Sequence, residues 1–333
     1  MKRFATCALL LALLLAGCGA PADPDTAQES IQVIAMDTPM LITTYGKRSV
    51  AAAYAAEDCI RDLEAALSRT DPDSEVSRLN RAGGEPVEVG EDLHFLLRDA
   101  KYLSNDTAGA FDITIAPVAS AWGFTEDQFR VPSQAELDAL LKLVDYEQIH
   151  FSAPPPLSNS PSEPLTASLG PGQAIDLGGI AKGYAADQMK AYLNENGVHE
   201  GFINLGGNVL TLGEKKEGPY RIGIQTPFDE NGAVITTVEI QDQSVVTSGR
   251  YERYFEKDGH IYHHILNPAD GYPYESGLNG VTIISDSSME GDALSTICFA
   301  LGMEKSRELL SSMPEIDAVF IDEDNRLHFL NEP

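Results

Sequence analysis

Asp176-Leu177-Gly178-Gly179-Ile180-Ala181-Lys182-Gly183-Tyr184 joins an apolar run to a helical pattern, and the fold is set by what lies on either side of it. The spacing predicts a strand end, a Gly-Gly turn and a helix over residues 180–196, with Gly197 as a suitable C′ residue. Downstream, residues 202–212, 220–225, 234–240, 260–266 and 281–285 read as strands. Residues 290–301 and 304–311 read as helices, and residues 316–321 and 327–330 close the chain as strands. Upstream, residues 31–45 have β-branched strand character. Residues 50–67 read as a helix whose Ala53, Ile60, Leu63 and Leu67 share a face, and residues 92–104 as another. Ser133 and Glu136 form a capping box for a helix through Leu143. Between these, Gly109-Ala110-Phe111-Asp112 leads into a strand-like run ending near Trp122. Strands come in runs with helices between them, which predicts an α+β fold of largely antiparallel sheets with packed helices.

The termini and interruptions set the domain plan. Lys2 and Arg3 precede a Leu/Ala run that is too short to span a bilayer, followed by Leu15-Ala16-Gly17-Cys18. Residues 1–17 therefore read as a lipoprotein signal peptide, with Cys18 as the lipidated residue of an exported, membrane-anchored protein facing the periplasm or cell exterior. The bland alternative is an ordinary signal in which Cys18 is incidental. Residues 18–30 read as a flexible tether and residues 31–333 as one domain. A Pro/Ser-rich stretch at residues 153–172 reads as a surface loop within it. Cys59 and Cys298 sit in apolar helical patterns and read as buried free thiols.

The 333 residues carry 51 acidic and 23 basic side chains, a formal charge of -28. Such a surface repels phosphate backbones at long range, so nucleic acid is an unfavourable partner. A phosphate-bearing ligand would need local neutralisation by a metal, a lysine or helix N–H groups.

Three segments bear chemistry. In the opening stretch, two glycines let a ligand approach the backbone and Lys182 adds a point charge. It is not a Walker A loop, because the GK[ST] ending is missing. A plain tight turn with a solvent lysine explains the spacing equally well. In Ser287-Ser288-Met289-Glu290-Gly291-Asp292, Ser287 and Glu290 fit a capping box, and Asp292 and Thr296 lie four apart on one helix face. A carboxylate and a hydroxyl so placed can bind Mg²⁺; dipole complementation and back-bonding to the preceding turn explain the same pair. In Tyr262-His263-His264-Ile265-Leu266-Asn267-Pro268, adjacent histidines on a strand face opposite sides. One can be structural while the other faces a site.

Taken in order, these segments resemble the ApbE family of FAD:protein FMN transferases. The resemblance runs from about Met36 to Leu301. It includes Met36-Asp37-Thr38, Ser74 to Asn80, Ala110-Phe111-Asp112, Asp176 to Tyr184, Asn204 to Asn208, Thr247 to Tyr254, His263 to Pro273 and Met289 to Thr296. It implies an ApbE-like, T-fold-related architecture. It further implies that Met36, Ala110, Phe111, Asp112, Asp176, Lys182 and His264 bind FAD. The Gly179 carbonyl, Asp292 and Thr296 would ligate Mg²⁺, and His264 or His263 would act near the phosphates together with Lys182. The implied reaction carries FMN from FAD to a Thr or Ser hydroxyl of an acceptor flavoprotein, such as a subunit of a membrane redox complex, and releases AMP. Two positions depart from the family pattern. Asp37 stands where members usually have glycine. Thr70 stands where many have an aromatic able to stack on flavin. The second departure raises an alternative, Mg²⁺-dependent FAD hydrolysis to FMN and AMP. A non-enzymatic flavin- or ligand-binding lipoprotein is the reading from another class; it predicts binding that survives chelation and no AMP.

Overall fold

The computed structural model describes residues 27–124, 128–152, 164–215, 218–229 and 231–331. The expected signal peptide, Cys18, most of the expected tether and residues 153–163 of the Pro/Ser-rich loop lie outside the described residues.

The N-terminal part comprises β1 (Gln28–Ala35), β2 (Thr38–Tyr45), α1 (Ser49–Leu67), α2 (Glu75–Arg81), β3 (Val87–Glu88) and α3 (Glu91–Asp106). It continues through α4 (Ala116–Trp122), α5 (Gln134–Leu140), β4 (His150–Phe151), β5 (Thr166–Ser168) and α6 (Ala181–Glu195). There follow β6 (Gly201–Asn204), β7 (Asn208–Leu212), β8 (Tyr220–Gln225), β9 (Val234–Ile240), β10 (Ser244–Gly249), β11 (Tyr254–Lys257) and β12 (His260–His263). The chain closes with β13 (Leu278–Ser285), α7 (Ser288–Leu301), α8 (Met303–Leu310), β14 (Asp317–Asp322) and β15 (Leu327–Phe329).

Eight strands form the main sheet in the order β1-β2-β6-β7-β10-β13-β14-β15. Each neighbouring pair is antiparallel. Hairpins β8–β9 and β11–β12 and the set β3-β5-β4 form small separate sheets. The predicted α+β class with antiparallel sheets is the observed one.

Helices α1, α6 and α7 lie against the main sheet, and α6 packs against each of the other two. The spacing in α1 explains why: Ala53, Ala56, Ile60, Leu63 and Leu67 are all buried in one core with Ile42 of β2, Met189 and Leu193 of α6, and Leu210 of β7. Burying a side chain such as Ile60 fully stabilises the fold by about 1.5–3 kcal/mol. A second core joins Cys298 and Phe299 of α7 to Val281 and Phe320 of β13 and β14. Cys59 and Cys298 are both free; Cys298 is buried and Cys59 half-buried.

Several boundaries differ from expectation. Residues 31–45 are two strands, and β1 begins at Gln28, inside the expected tether. Met36 (φ 48°) and Asp37 (φ 56°) form the turn between them. Two consecutive positive φ values make the tight hairpin turn that suits a right-handed twist, and Asp is among the residues that tolerate them. The strand-like run after Asp112 is instead a helical turn followed by α4. Pro117 in its first turn sits where the missing N–H costs nothing. No strand precedes the Gly-Gly turn. There Asp176 Oδ1 accepts from the Gly178 N–H at 2.8 Å, and the Leu177 carbonyl accepts from Ile180 and Ala181. Residues 202–212 divide into β6 and β7, and the second half of the Pro/Ser-rich stretch contributes β5.

Candidate active site

Three loops at one end of the sheet, the start of α6 and one face of α7 open onto one cleft of about 780 Å³. The order of the main sheet places the β1–β2 turn beside the β6–β7 connection and the end of β10. Met36, Asn204, Asn208 and Ser248 thus reach the same space from positions far apart in sequence. From the helical side come Asp176, Gly179 and Lys182 at the start of α6, and Asp292 and Thr296 on α7. Thr70, Ala110, Phe111, Asp112 and His264 complete the set expected from sequence.

The helices α6 and α7 meet at Gly183. Its N–H donates to Asp292 Oδ2 at 2.9 Å. A Cβ placed there would lie 2.3 Å from the Ser288 carbonyl oxygen, so only glycine permits this approach. The same contact brings the Gly-Gly turn to the second helix: a Cβ placed on Gly179 would lie 3.7 Å from Thr296 Oγ1 and 2.9 Å from Phe111 Cε2. Thr296 Oγ1 lies 3.3 Å from the Asp292 carbonyl oxygen and 3.1 Å from Ser248 Oγ.

The donor chemistry fits a hard cation. Among the described residues, no three His, Cys, Asp or Glu side chains gather to hold a metal. Where α7 faces the glycine turn, the cleft offers the Asp292 carboxylate, the Thr296 hydroxyl and a main-chain carbonyl of the accessible turn, all oxygen, as Mg²⁺ takes alongside its waters. Asp292 is 4% exposed, and the one hydrogen bond to its carboxylate among the described residues comes from the Gly183 N–H, on Oδ2. Burial pushes its carboxyl above the usual aspartate range, while Lys182 and the Gly183 N–H pull it back. A carboxylate so poorly compensated is one that a cation stabilises.

The two histidines separate as strand alternation requires. His263 is buried, packs edge-on to Phe299 at 5.4 Å and sets Nε2 3.1 Å from the Tyr274 carbonyl oxygen. Its Nδ1 accepts from the Ile265 N–H at 3.3 Å. These contacts fix a neutral imidazole protonated on Nε2, and burial brings its pKa down to about 4. His263 is therefore placed in the core, as the structural member of the two alternatives that the sequence left open. His264 lines the cleft, and its Nδ1 lies 3.3 Å from the Arg253 carbonyl oxygen. Enclosure by protein, together with His263, Lys182 and Arg253, holds its pKa down to about 3, so it too is neutral at pH 7.

The remaining expected residues differ in how free they are. Asp112 lines the cleft, but its carboxylate is occupied: Oδ1 accepts from Thr114 N–H (2.8 Å) and Thr114 Oγ1 (2.7 Å), and Oδ2 from Tyr146 N–H (3.1 Å). It shapes the loop that presents Ala110 and Phe111. Asp176 faces Arg69, with Nε 3.5 Å from Oδ2. Thr70 is exposed at the cleft beside Ser68 Oγ, 3.1 Å away. Met36 is half-buried, its N–H donating to Glu64 Oε1 at 2.6 Å.

Sequence reasoning passed over Arg69, Ser248 and Glu252, all on the cleft wall. Arg69 adjoins Thr70, a position that drew attention only for the aromatic many family members carry there. Glu252 is open to the cleft's water yet ringed by protein. That enclosure, reinforced by Asp292 and opposed by Lys182 and Arg253, raises its pKa to about 7. A carboxylate in the Thr247–Tyr254 segment carried no signal that distinguished it from a turn residue.

Comparison with known proteins agrees with this arrangement. Residues 36–320 match the model of the ApbE family. An FAD:protein FMN transferase of Klebsiella pneumoniae is 36% identical over 313 residues, covering 93% of each chain. One from Treponema pallidum is 34% identical, covering 96% of this chain and 91% of its own. Among solved structures, the ApbE protein of Thermotoga maritima superposes with a TM-score of 0.82 at 31% identity, over 91% of this chain and 97% of that one. The flavin transferase ApbE of Vibrio cholerae gives 0.79 at 25% identity, again over 91% and 97%. With a cleft built from the same ordered segments along its length, the chain belongs to the ApbE family.

Proposed function

We propose that this protein moves the FMN half of FAD onto a Thr or Ser hydroxyl of an acceptor protein, with Mg²⁺ bound at Asp292, Thr296 and the Gly179 carbonyl. The observation that carries the reading is the meeting of Gly179, Lys182, Asp292 and Thr296 on one wall of a cleft large enough for a dinucleotide. The names borne by the Klebsiella and Treponema relatives point the same way.

In this reading the acceptor oxygen attacks the FMN-side phosphorus, the bond from that phosphorus to the bridging oxygen breaks, and AMP leaves. The bound ion would neutralise charge on the diphosphate. Lys182 adds a fixed positive charge beside the leaving oxygen. Phe111 and Met36 offer apolar surface to the ring systems, and the Gly178-Gly179 turn lets the diphosphate approach the main chain. His264, with Nδ1–H directed at the Arg253 carbonyl, keeps Nε2 as a neutral acceptor for the incoming hydroxyl. The acceptor belongs among membrane-associated redox proteins if Cys18 is lipidated outside the cytosol, and that anchor is part of the proposal.

The test is incubation with FAD, Mg²⁺ and a candidate acceptor, followed by mass spectrometry of acceptor and nucleotide. Acceptor heavier by FMN, with stoichiometric AMP, supports transfer. Asp292→Ala should lower the rate by at least about 100-fold, because it removes both a charge and a ligand. Bound FAD with neither product would sink the reading.

Thr70 favours a second reading. No aromatic closes the cleft at that exposed position. Water could then take the acceptor's place, giving FMN and AMP. AMP formed equally fast without acceptor identifies this hydrolase.

A further inference from the structure

Asp187 stands one turn beyond Gly183 on α6, outside the cleft. Among the described residues its carboxylate accepts three hydrogen bonds, all from the start of α7. Oδ2 accepts from Ser287 Oγ at 2.9 Å and from the Met289 N–H at 3.0 Å, and Oδ1 accepts from the Ser288 N–H at 2.8 Å. The Ser288 and Met289 N–H groups belong to the first turn of α7 and have no partner within the helix. Ser287 Oγ also accepts from Glu290 N–H, at 3.3 Å, so the usual capping position is already used for a later donor.

The two helices are thus joined by two rungs. Residue 183 bonds to residue 292, and residue 187 to residue 288. Both steps are four residues, one helical turn, taken in opposite directions along the pair. Antiparallel helices with matched rungs cannot slide or rotate past each other without breaking both. The rung at Gly183 touches Asp292 directly. The rung at Asp187 touches no cleft residue, but it fixes the axial position and rotation of the helix that carries Asp292 and Thr296. Its bonds are charge-assisted, about twice as strong as neutral ones.

We propose that Asp187 is a positioning residue for the cation site: it holds α7 in the register that aims Asp292 and Thr296 at the Gly179 turn. This rests on the cation reading above and adds to it a residue that acts through another. Loss of the rung lets α7 shift against α6, and a donor set that must converge within tenths of an ångström loses affinity. Supporting groups around metal ligands typically contribute 10–100-fold in affinity.

The test is Mn²⁺ binding to the full chain without FAD, by electron paramagnetic resonance titration and calorimetry. Wild type, Asp187→Ala, Asp187→Asn and Asp292→Ala are compared, each at a temperature where circular dichroism shows it folded. Asp187→Ala should bind at least about tenfold more weakly, and Asp187→Asn, which keeps one acceptor oxygen, should fall between. A purely structural role would lower Tm and leave the Mn²⁺ affinity of the folded protein unchanged. Wild-type affinity in Asp187→Ala, or in Asp187→Asn should the alanine variant not fold, overturns the inference while leaving the cation site standing. Wild-type affinity in Asp292→Ala places the ion elsewhere, and then the cation reading fails first and this inference with it.

Discussion

Gly183→Ala tests the helix crossing that assembles the cleft. The new Cβ would sit 2.3 Å from the Ser288 carbonyl oxygen and 2.6 Å from Met289 Cα. Ordinary carbon–oxygen contact is about 3.3–3.6 Å, so the helices must part by roughly 1 Å. Both obstructing groups are main chain, and no side-chain rotation relieves them. Two effects oppose each other. Alanine improves helix propensity by about 1 kcal/mol over glycine. Overpacking typically costs about 1–3 kcal/mol, and a backbone clash on this scale belongs at the upper end or beyond. The clash wins, leaving a net loss of about 2 kcal/mol. At roughly 2–4 °C per kcal/mol, Tm should fall by at least about 4 °C. Activity should suffer more than stability. Parting the helices stretches the Gly183 N–H bond to Asp292 and pulls Thr296 away from Gly179, and a misplacement of about 1 Å can cost about 100-fold in rate. Thermal and urea unfolding by circular dichroism read the first effect; covalent flavin fluorescence on an acceptor reads the second. A Gly183→Ala protein as stable and as active as wild type would refute the reasoning.

Three further outcomes are expected. His263 binds its proton near pH 6.5 in the unfolded chain but only near pH 4 in the fold, so stability should decline as pH falls through that window, by about 3 kcal/mol at most for this group. His263→Asn, though less stable at pH 7, should show a shallower decline in unfolding free energy between pH 6.5 and 4; an unchanged slope would contradict the buried neutral tautomer. Thr70→Tyr restores a ring at the exposed edge of the cleft and should tighten FAD binding by about 2–10-fold, from roughly 0.5–1.5 kcal/mol of stacking, as read by fluorescence quenching. Gly179→Ala should weaken Mn²⁺ and FAD binding together, since its Cβ would press on Phe111 Cε2 at 2.9 Å; retention of both affinities would show that Phe111 yields freely.

What the sequence disclosed follows from which forces are local. Strands β8 and β9 fall at the predicted boundaries because turn residues bound them and β8 alternates buried and exposed positions. The caps at Ser133 and Ser287 were legible, since each side chain accepts from the N–H three residues on. Central strand β10 was not seen: Ser244-Val245-Val246-Thr247-Ser248-Gly249 is buried or half-buried throughout, with no alternation, and its Ser, Thr and Gly resemble a turn. Helix α4 was misread because Ile113-Thr114-Ile115 are β-branched, a strand preference that the Pro117 start signal outweighs. Within the site, Asp292 and Thr296 were visible as an i, i+4 pair. Their meeting with Gly183 spans 109 residues, and no local spacing encodes it. Family resemblance supplied that link, but not Arg69 or Asp187, whose partners become plain only once the helices are packed.

The first hairpin has a mechanical consequence. Strand β1 runs eight residues, roughly 26 Å, from Gln28 to the turn at Met36 on the cleft wall. Gln28 therefore lies at the far end of that strut from the cleft wall. A surface gripping Cys18 would stand up to about 35 Å farther off, the full stretch of ten residues. If the proposed anchor at Cys18 holds, those two lengths would set a working radius, and the proposed acceptor would have to present its modified residue within it.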